Sequence, residues 1–375
     1  MNLVLIIASS VLCHAAFTGV RVTVSLQALK EGGSPFVIGV LMALMAVLPM
    51  LLGVASGRWT DRVGARRPLL AGGSLVFLGA LLPAVFPVLP VLFLTAALIG
   101  AGMMAAQVAL QNAVGELSAP AERAQNFSQM AIGMSLSSFA GPLIAGFSID
   151  HFGYRIAFAA LAVLPLVAVA TLRLGRLRLP PPSPHAELHV DRSILDLLRT
   201  RELRRVLLVS SLLAIGWDLH NFFVPIFGTQ IGLSASQIGA ILAAFAFATL
   251  VIRLAMRWIA RRYTEWQVLT CAVFVVAGVY LLFPFAIKAW QLMLLSFTLG
   301  LGLGAAQPMV MALVHRIVPE GRAGEALGLR TMLINSSQVA LPLVFGAASA
   351  TLGMTPVFWS VAMCLGAGGY YTRKR

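Results

Sequence analysis

The stretch GRWTDRVGARRPLL, residues 57–70, places four arginines within ten residues. Uncharged runs flank it on both sides. Val37–Ser56 carries no charge, and after Leu69 the next charge is Glu116. A bilayer-spanning helix needs about 20 mostly apolar residues. A short basic loop between such runs is therefore the mark of a chain that crosses a membrane repeatedly.

The rest of the 375 residues repeats this alternation. The chain is 59% hydrophobic and 11% charged, with a mean hydropathy of +0.91. Soluble domains carry roughly 25% charged residues, so a water-soluble fold of this size is excluded. Strands of an outer-membrane barrel alternate apolar and polar residues. These runs are apolar throughout, so an all-α membrane protein is expected. Twelve segments are predicted, at about 3–27, 36–56, 68–87, 89–114, 125–149, 154–174, 204–230, 235–258, 265–287, 290–314, 323–349 and 354–372. The N-terminus, MNLVLIIASSVL, lacks the basic region and cleavage site of a signal peptide and reads as a retained first span. Cys13, Cys271 and Cys364 lie far apart in apolar runs, which argues against a disulfide framework or a zinc site.

The net charge of +14 would suggest nucleic acid in a soluble protein. Here its placement argues otherwise. With the N-terminus inside, the inner loops and adjoining helix ends hold all of the 27 Lys and Arg except Arg21, Lys30, Arg155 and Lys288. That is the positive-inside pattern, and it predicts cytoplasmic termini in the inner membrane. One connection is long, and Pro180, Pro181 and Pro182 break any helix there. It divides the chain into a six-helix bundle over 1–175, a cytoplasmic linker over 176–202 with a short amphipathic helix from Asp191 to Arg204, and a second bundle over 203–375.

The two halves repeat at an offset of 200 residues. GAGMMAAQ at 100–107 faces GLGLGAAQ at 300–307, Pro142 faces Pro342, Gly146 faces Gly346, and Ser34 faces Ser234. Glycine, proline and glutamine agreeing in register are far harder to obtain by chance than apolar matches. Six spans per half make the repeat parallel, about an axis along the membrane normal.

Taken together, this chain resembles the major facilitator superfamily of secondary transporters. The opening stretch is similar to that family's loop signature, with Gly57, Asp61, Arg62, Gly64, Arg66 and Arg67 in place. In the second half the loop reads RWIARRYTEW, and the motif is lost. Physically, Gly57 is expected to let the second helix approach a neighbour closely. Gly64 is expected to allow a very tight turn. Glu116 is available to pair with the arginines. The resemblance implies a latch between the halves, with Asp61 facing the start of the eleventh helix near Arg322–Glu325. SSFAGPLIAGFSIDHFG, residues 137–153, resembles the helix-5 motif of proton-coupled exporters through Gly141, Pro142 and Gly146. Those exporters often carry an arginine in helix 4, at the position that is Ala96 here and Ser296 in the repeat, and this chain lacks it.

The architecture implied by the resemblance lines a central cavity with helices 1, 4, 7 and 10. Polar groups inside a membrane are costly and mark substrate or proton paths. The candidates are His14, Thr18, Arg21, Gln107, Trp217, Asp218, His220, Asn221, Gln307 and Asn335, with Gln129 and Gln338 beside them. Asp218 is the one acid well inside a predicted span. The repeat sets Arg21 about 4.5 Å from it in depth, so a charge pair across the cavity is feasible. Clustered methionines could hold soft copper ions, but they read as apolar filler. Neither a Walker motif nor a nucleophile–base set is present, so neither an enzyme nor a cofactor is expected. The expected function is proton-coupled export of a small molecule by a monomer in contact with membrane lipid. The alternative is proton-coupled uptake of a small anion or metabolite.

Overall fold

The computed structural model describes residues 2–118, 122–174, 200–318 and 323–373. Most of the expected linker, 176–202, and most of its amphipathic helix lie outside those residues. Among the described residues the chain forms eleven α-helices and no strand. They are α1 (Asn2–Lys30), α2 (Pro35–Val63), α3 (Arg66–Val85), α4 (Leu89–Leu117), α5 (Arg123–Leu174), α6 (Arg201–Gln230), α7 (Ala235–Arg262), α8 (Glu265–Leu282), α9 (Ala289–Ile317), α10 (Ala323–Leu352) and α11 (Met354–Arg373).

Among the described residues, ten helical stretches are long and apolar enough to cross a membrane. One of them, Gln125–Leu174, is 50 residues long, enough for two crossings of a core about 30 Å thick. It breaks at Gly153, whose φ of 81° and ψ of 173° leave the helical region. Segments 5 and 6 are therefore joined by one glycine in a left-handed conformation rather than by a loop. With α11, twelve crossings result. Their even number puts both chain ends, and the connection between α5 and α6, on one side of the membrane. We call this the linker side and the opposite one the far side.

The 200-residue offset recurs in the backbone. Gly32 and Gly232 have φ of 82° and 77°, and Gly153 and Gly353 have 81° and 80°. Ser34 and Ser234 both cap the next helix with a side-chain oxygen, at φ and ψ within a degree of each other. At the signature loop the halves diverge. Gly64 turns the chain with φ 76°, the tight turn expected of it. Its counterpart Thr264 instead caps α8 in a reciprocal box with Gln267.

The two bundles meet along two seams, α5 against α7 and α2 against α10. Between membrane helices, small residues that let backbones approach drive association. A β-carbon added at Gly39 would lie 2.3 Å from the Pro342 carbonyl oxygen, and one at Gly239 would lie 2.4 Å from that of Pro142. At Gly146 it would lie 2.4 Å from the Ala235 oxygen, and at Gly346 2.8 Å from that of Pro35. All four contacts lie within a few residues of the far-side starts of α2 and α7. The repeated glycines thus close the far side. Gly141 serves elsewhere, admitting Ala15 and Thr18 of α1 inside the first bundle.

Candidate functional site

The linker-side half of the second bundle forms a partly open cavity of about 260 Å³, near the lower bound of small-molecule pockets. Helices α6, α7, α9 and α10 supply its walls. Leu213, Trp217, Leu303, Val310 and Ile334 give it an apolar surface. Its polar groups are Ser210, Asp218, Arg253, Gln307, Arg330 and Gln338. An apolar wall with a few convergent polar groups suits an amphipathic small molecule.

Asp218 lies at the deep end, 17 residues into α6, and is 5% exposed. Gln338 of α10 donates to its Oδ1 at 3.5 Å, and its Oδ2 has no partner among the described residues. Arg21 of α1 interacts with it through space. The two are not in direct contact, since the one ion pair within 4.0 Å among the described residues joins Arg316 to Glu265. Arg21 instead points its Nε to the Met42 sulfur, 3.3 Å away on α2. Thioethers accept hydrogen bonds weakly, so the guanidinium remains available to a stronger acceptor.

Arg253 and Arg330 bring two positive charges to the same cavity. Arg253 of α7 donates to Gln307 Oε1 at 2.9 Å and, across the bundles, to Ser135 Oγ of α5 at 2.8 Å. Arg330 of α10 donates from Nε to Ser210 Oγ at 2.6 Å. Counting charge by membrane side assigns both arginines to the linker-side loops. The rule that singles out Arg21, a charge inside an apolar run, applies equally to Arg253 in ATLVIRLAM, residues 248–256. Ser135 and Ser210 carried no signal of their own.

Trp217, Asp218 and Gln307 therefore line one cavity. The other expected cavity residues sit differently. His14 Nδ1 meets Ser137 Oγ at 2.5 Å, and Thr18 donates to the Ser137 carbonyl at 3.2 Å. Both fasten α1 to α5 within the first bundle. His220 is 1% exposed, stacks on Phe245 and bonds Ser296 Oγ at 2.9 Å through Nε2. Its Nδ1 is buried without a partner. Asn221 bonds back to the Trp217 carbonyl of its own helix. Gln107 is half-buried in α4 with an unpartnered Oε1. Asn335 is half-buried in α10, between the cavity residues Ile334 and Gln338.

Arg62, Arg66 and Arg67 of the signature stretch, and Glu116 at the end of α4, are exposed. Among the described residues a β-carbon at Gly57 would meet nothing within 4 Å. The side chain of Asp61, Arg322, and the side chains of the rest of the Arg322–Glu325 segment it was expected to face, lie outside what the structure describes.

A sequence profile described as Major Facilitator Superfamily matches residues 6–214 and 206–372. The chain is 25% identical to the "Multi-drug resistance efflux pump PmrA" of Streptococcus pneumoniae, over 63% of this chain and 60% of that protein. It is 27% identical to the "Multidrug resistance protein MdtG" of Escherichia fergusonii, over 58% of this chain and 55% of that one. The matched region thus spans about 60% of the length of these relatives or a little less. Among solved structures, a peptide transporter POT in complex with sulfate superposes with a TM-score of 0.81 at 16% identity, covering 99% of this chain and 93% of that one. A POT family transporter in complex with 5-aminolevulinic acid gives 0.81 at 13% identity, with 98% and 94% covered. At such identities the likeness is one of fold.

Proposed function

The chain belongs to the Major Facilitator Superfamily and is a membrane transporter; within that family we propose that it is a proton-coupled exporter of small amphipathic molecules. The observation that carries this reading is Asp218, buried at the deep end of the cavity with one oxygen unpartnered. A carboxyl in that position can carry a proton across the membrane, which an arginine cannot. The unpartnered oxygen gives that proton a place to sit.

The positive-inside pattern makes the linker side cytoplasmic. With the far side closed by the glycine seams, the cavity loads from the cytoplasm. The efflux names of the curated relatives support export. Rocking of the bundles about the two seams would then present the cavity to the far side. The protein works in this way as a monomer in the inner membrane.

A second reading rests on Arg253 and Arg330. Two cations beside one carboxylate attract a small anion, and the sign of proton coupling separates the readings. A cationic substrate near Asp218 favours loss of its proton, which gives antiport and export. An anionic substrate favours proton uptake, which gives symport. The test is to add substrate to detergent-solubilised protein with a pH indicator, using ethidium as the cationic probe and fluorescein as the anionic one. Proton release with ethidium supports export. Proton uptake with fluorescein, and none released with ethidium, replaces export with anion symport.

A further inference from the structure

The two inter-bundle seams are alike in their glycines and unlike in their hydrogen bonds. On the α5–α7 seam, Asp150 Oδ1 accepts from the Ala235 backbone N–H at 3.0 Å, and Oδ2 accepts from that of Ser236 at 2.8 Å. Ser236 Oγ donates to the Gly146 carbonyl at 3.3 Å. One carboxylate of the first bundle thus holds the first turn of a helix in the second. The N-terminal N–H groups of a helix have no partners within it, and the helix dipole adds a positive field there. Both favour a carboxylate.

On the α2–α10 seam every participant is replaced. The 200-residue offset puts Ala350 at the place of Asp150, Pro35 at that of Ala235 and Phe36 at that of Ser236. The acid is gone, proline has no N–H, and phenylalanine has no hydroxyl. Among the described residues no hydrogen bond joins α2 to α10 at this end. The backbones still meet there, with Gly346 against Pro35. Loss of the acid together with one of its donors leaves neither half of the interaction stranded.

We propose that Asp150 is a positioning residue for alternating access: it holds the far side closed through the α5–α7 seam, and its bonds must break each time that side opens. The α2–α10 seam parts without breaking such bonds. Opening therefore begins at α2–α10, and the α5–α7 seam sets the population of the far-side-open state. Asp150 is exposed, so solvent rehydrates it and the two N–H groups after opening. The net effect is then a fraction of the strength of a buried charged hydrogen bond, and on the order of tenfold in population.

The repeat itself supplies the mildest test. Ala235→Pro removes one donor, and proline is favoured at the first position of a helix, as Pro35 demonstrates here. Spin labels at Phe86 and Ile287, exposed far-side residues of opposite bundles, report the opening in protein whose three cysteines have been replaced. Asp150→Ala is expected to raise the long-distance, far-side-open population about tenfold, and Ala235→Pro about threefold. Combined, the two should do no more than Asp150→Ala alone, because they remove the same interaction. Asp150→Glu should restore much of the closed population. The measurement needs no substrate, so it stands apart from the direction and coupling proposed above. If Asp150→Ala misfolds, Ala235→Pro decides alone. An unchanged distance distribution in Ala235→Pro, or full additivity of the pair, overturns the proposal.

Discussion

Alanine at Gly39 should open the far side, and the expected size follows from the contact it makes. A β-carbon there would lie 2.3 Å from the Pro342 carbonyl oxygen and 3.0 Å from its carbon. Real β-carbons essentially never come within 3.0 Å of another heavy atom, so the contact falls 0.7 Å short. The obstacle is backbone, so no rotamer change relieves it, and α2 must move away from α10. Overpacking of this kind costs about 1–3 kcal/mol, felt only while the seam is closed. The closed population should fall relative to the open one by about 5- to 150-fold. Gly53→Ala is the control, since a β-carbon at that site of the same helix meets nothing within 4 Å. Both variants gain the same helix propensity, about 1 kcal/mol, so the comparison isolates the seam. Spin labels at Phe86 and Ile287 again give the readout. Equal distance distributions in Gly39→Ala and Gly53→Ala would refute the reasoning.

Three further outcomes are expected. Asp218→Asn and Arg21→Gln should each lower stability, and a double-mutant cycle should give a coupling of at least about 0.5 kcal/mol, since the charges interact through space; strict additivity in thermal melts would remove the pair. Gly64→Val should slow transport at least about tenfold with insertion intact, because valine does not tolerate a φ of 76°, and Asp61→Asn should do the same if the loop is a latch; normal transport rates in both would leave the loop as a topology signal alone. Reporter fusions after Arg199 and at Arg375 should be active only as cytoplasmic reporters, and periplasmic activity at either would invert the orientation.

The fold is legible in the sequence because a bilayer restricts the choices. Apolar runs of span length admit one backbone solution, the helix. The offset of 200 shows in Gly, Pro and Ser, whose roles are geometric: Ser34 and Ser234 reappear as helix caps, and Pro142, Pro342, Gly146 and Gly346 as seam contacts. The site is less legible because burial alone does not say which way a polar side chain points. Asp218, Trp217 and Gln307 do face the cavity. His14, His220 and Asn221 satisfy the same rule of a polar group in an apolar run, yet each is occupied by a neighbour within its own bundle. Arg253 and Arg330 are hidden by the charge pattern that reveals the topology, because counting by side treats a cavity arginine and a loop arginine alike. Asp150 lies in the quoted helix-5 stretch but outside its motif positions, and nothing singles it out there. Its hold on α7 depends on a helix start 85 residues away, and no local spacing encodes that.

The central claim is that Asp218 carries the coupled proton. The most direct measurement compares wild type with Asp218→Asn in proteoliposomes under an imposed pH gradient, using ethidium as the transported probe. Wild type should accumulate ethidium on the acidic side against its concentration gradient. Asp218→Asn should still exchange ethidium down its gradient while losing all accumulation driven by pH. Accumulation that persists in Asp218→Asn at the wild-type ratio would contradict the claim and move the proton to another group.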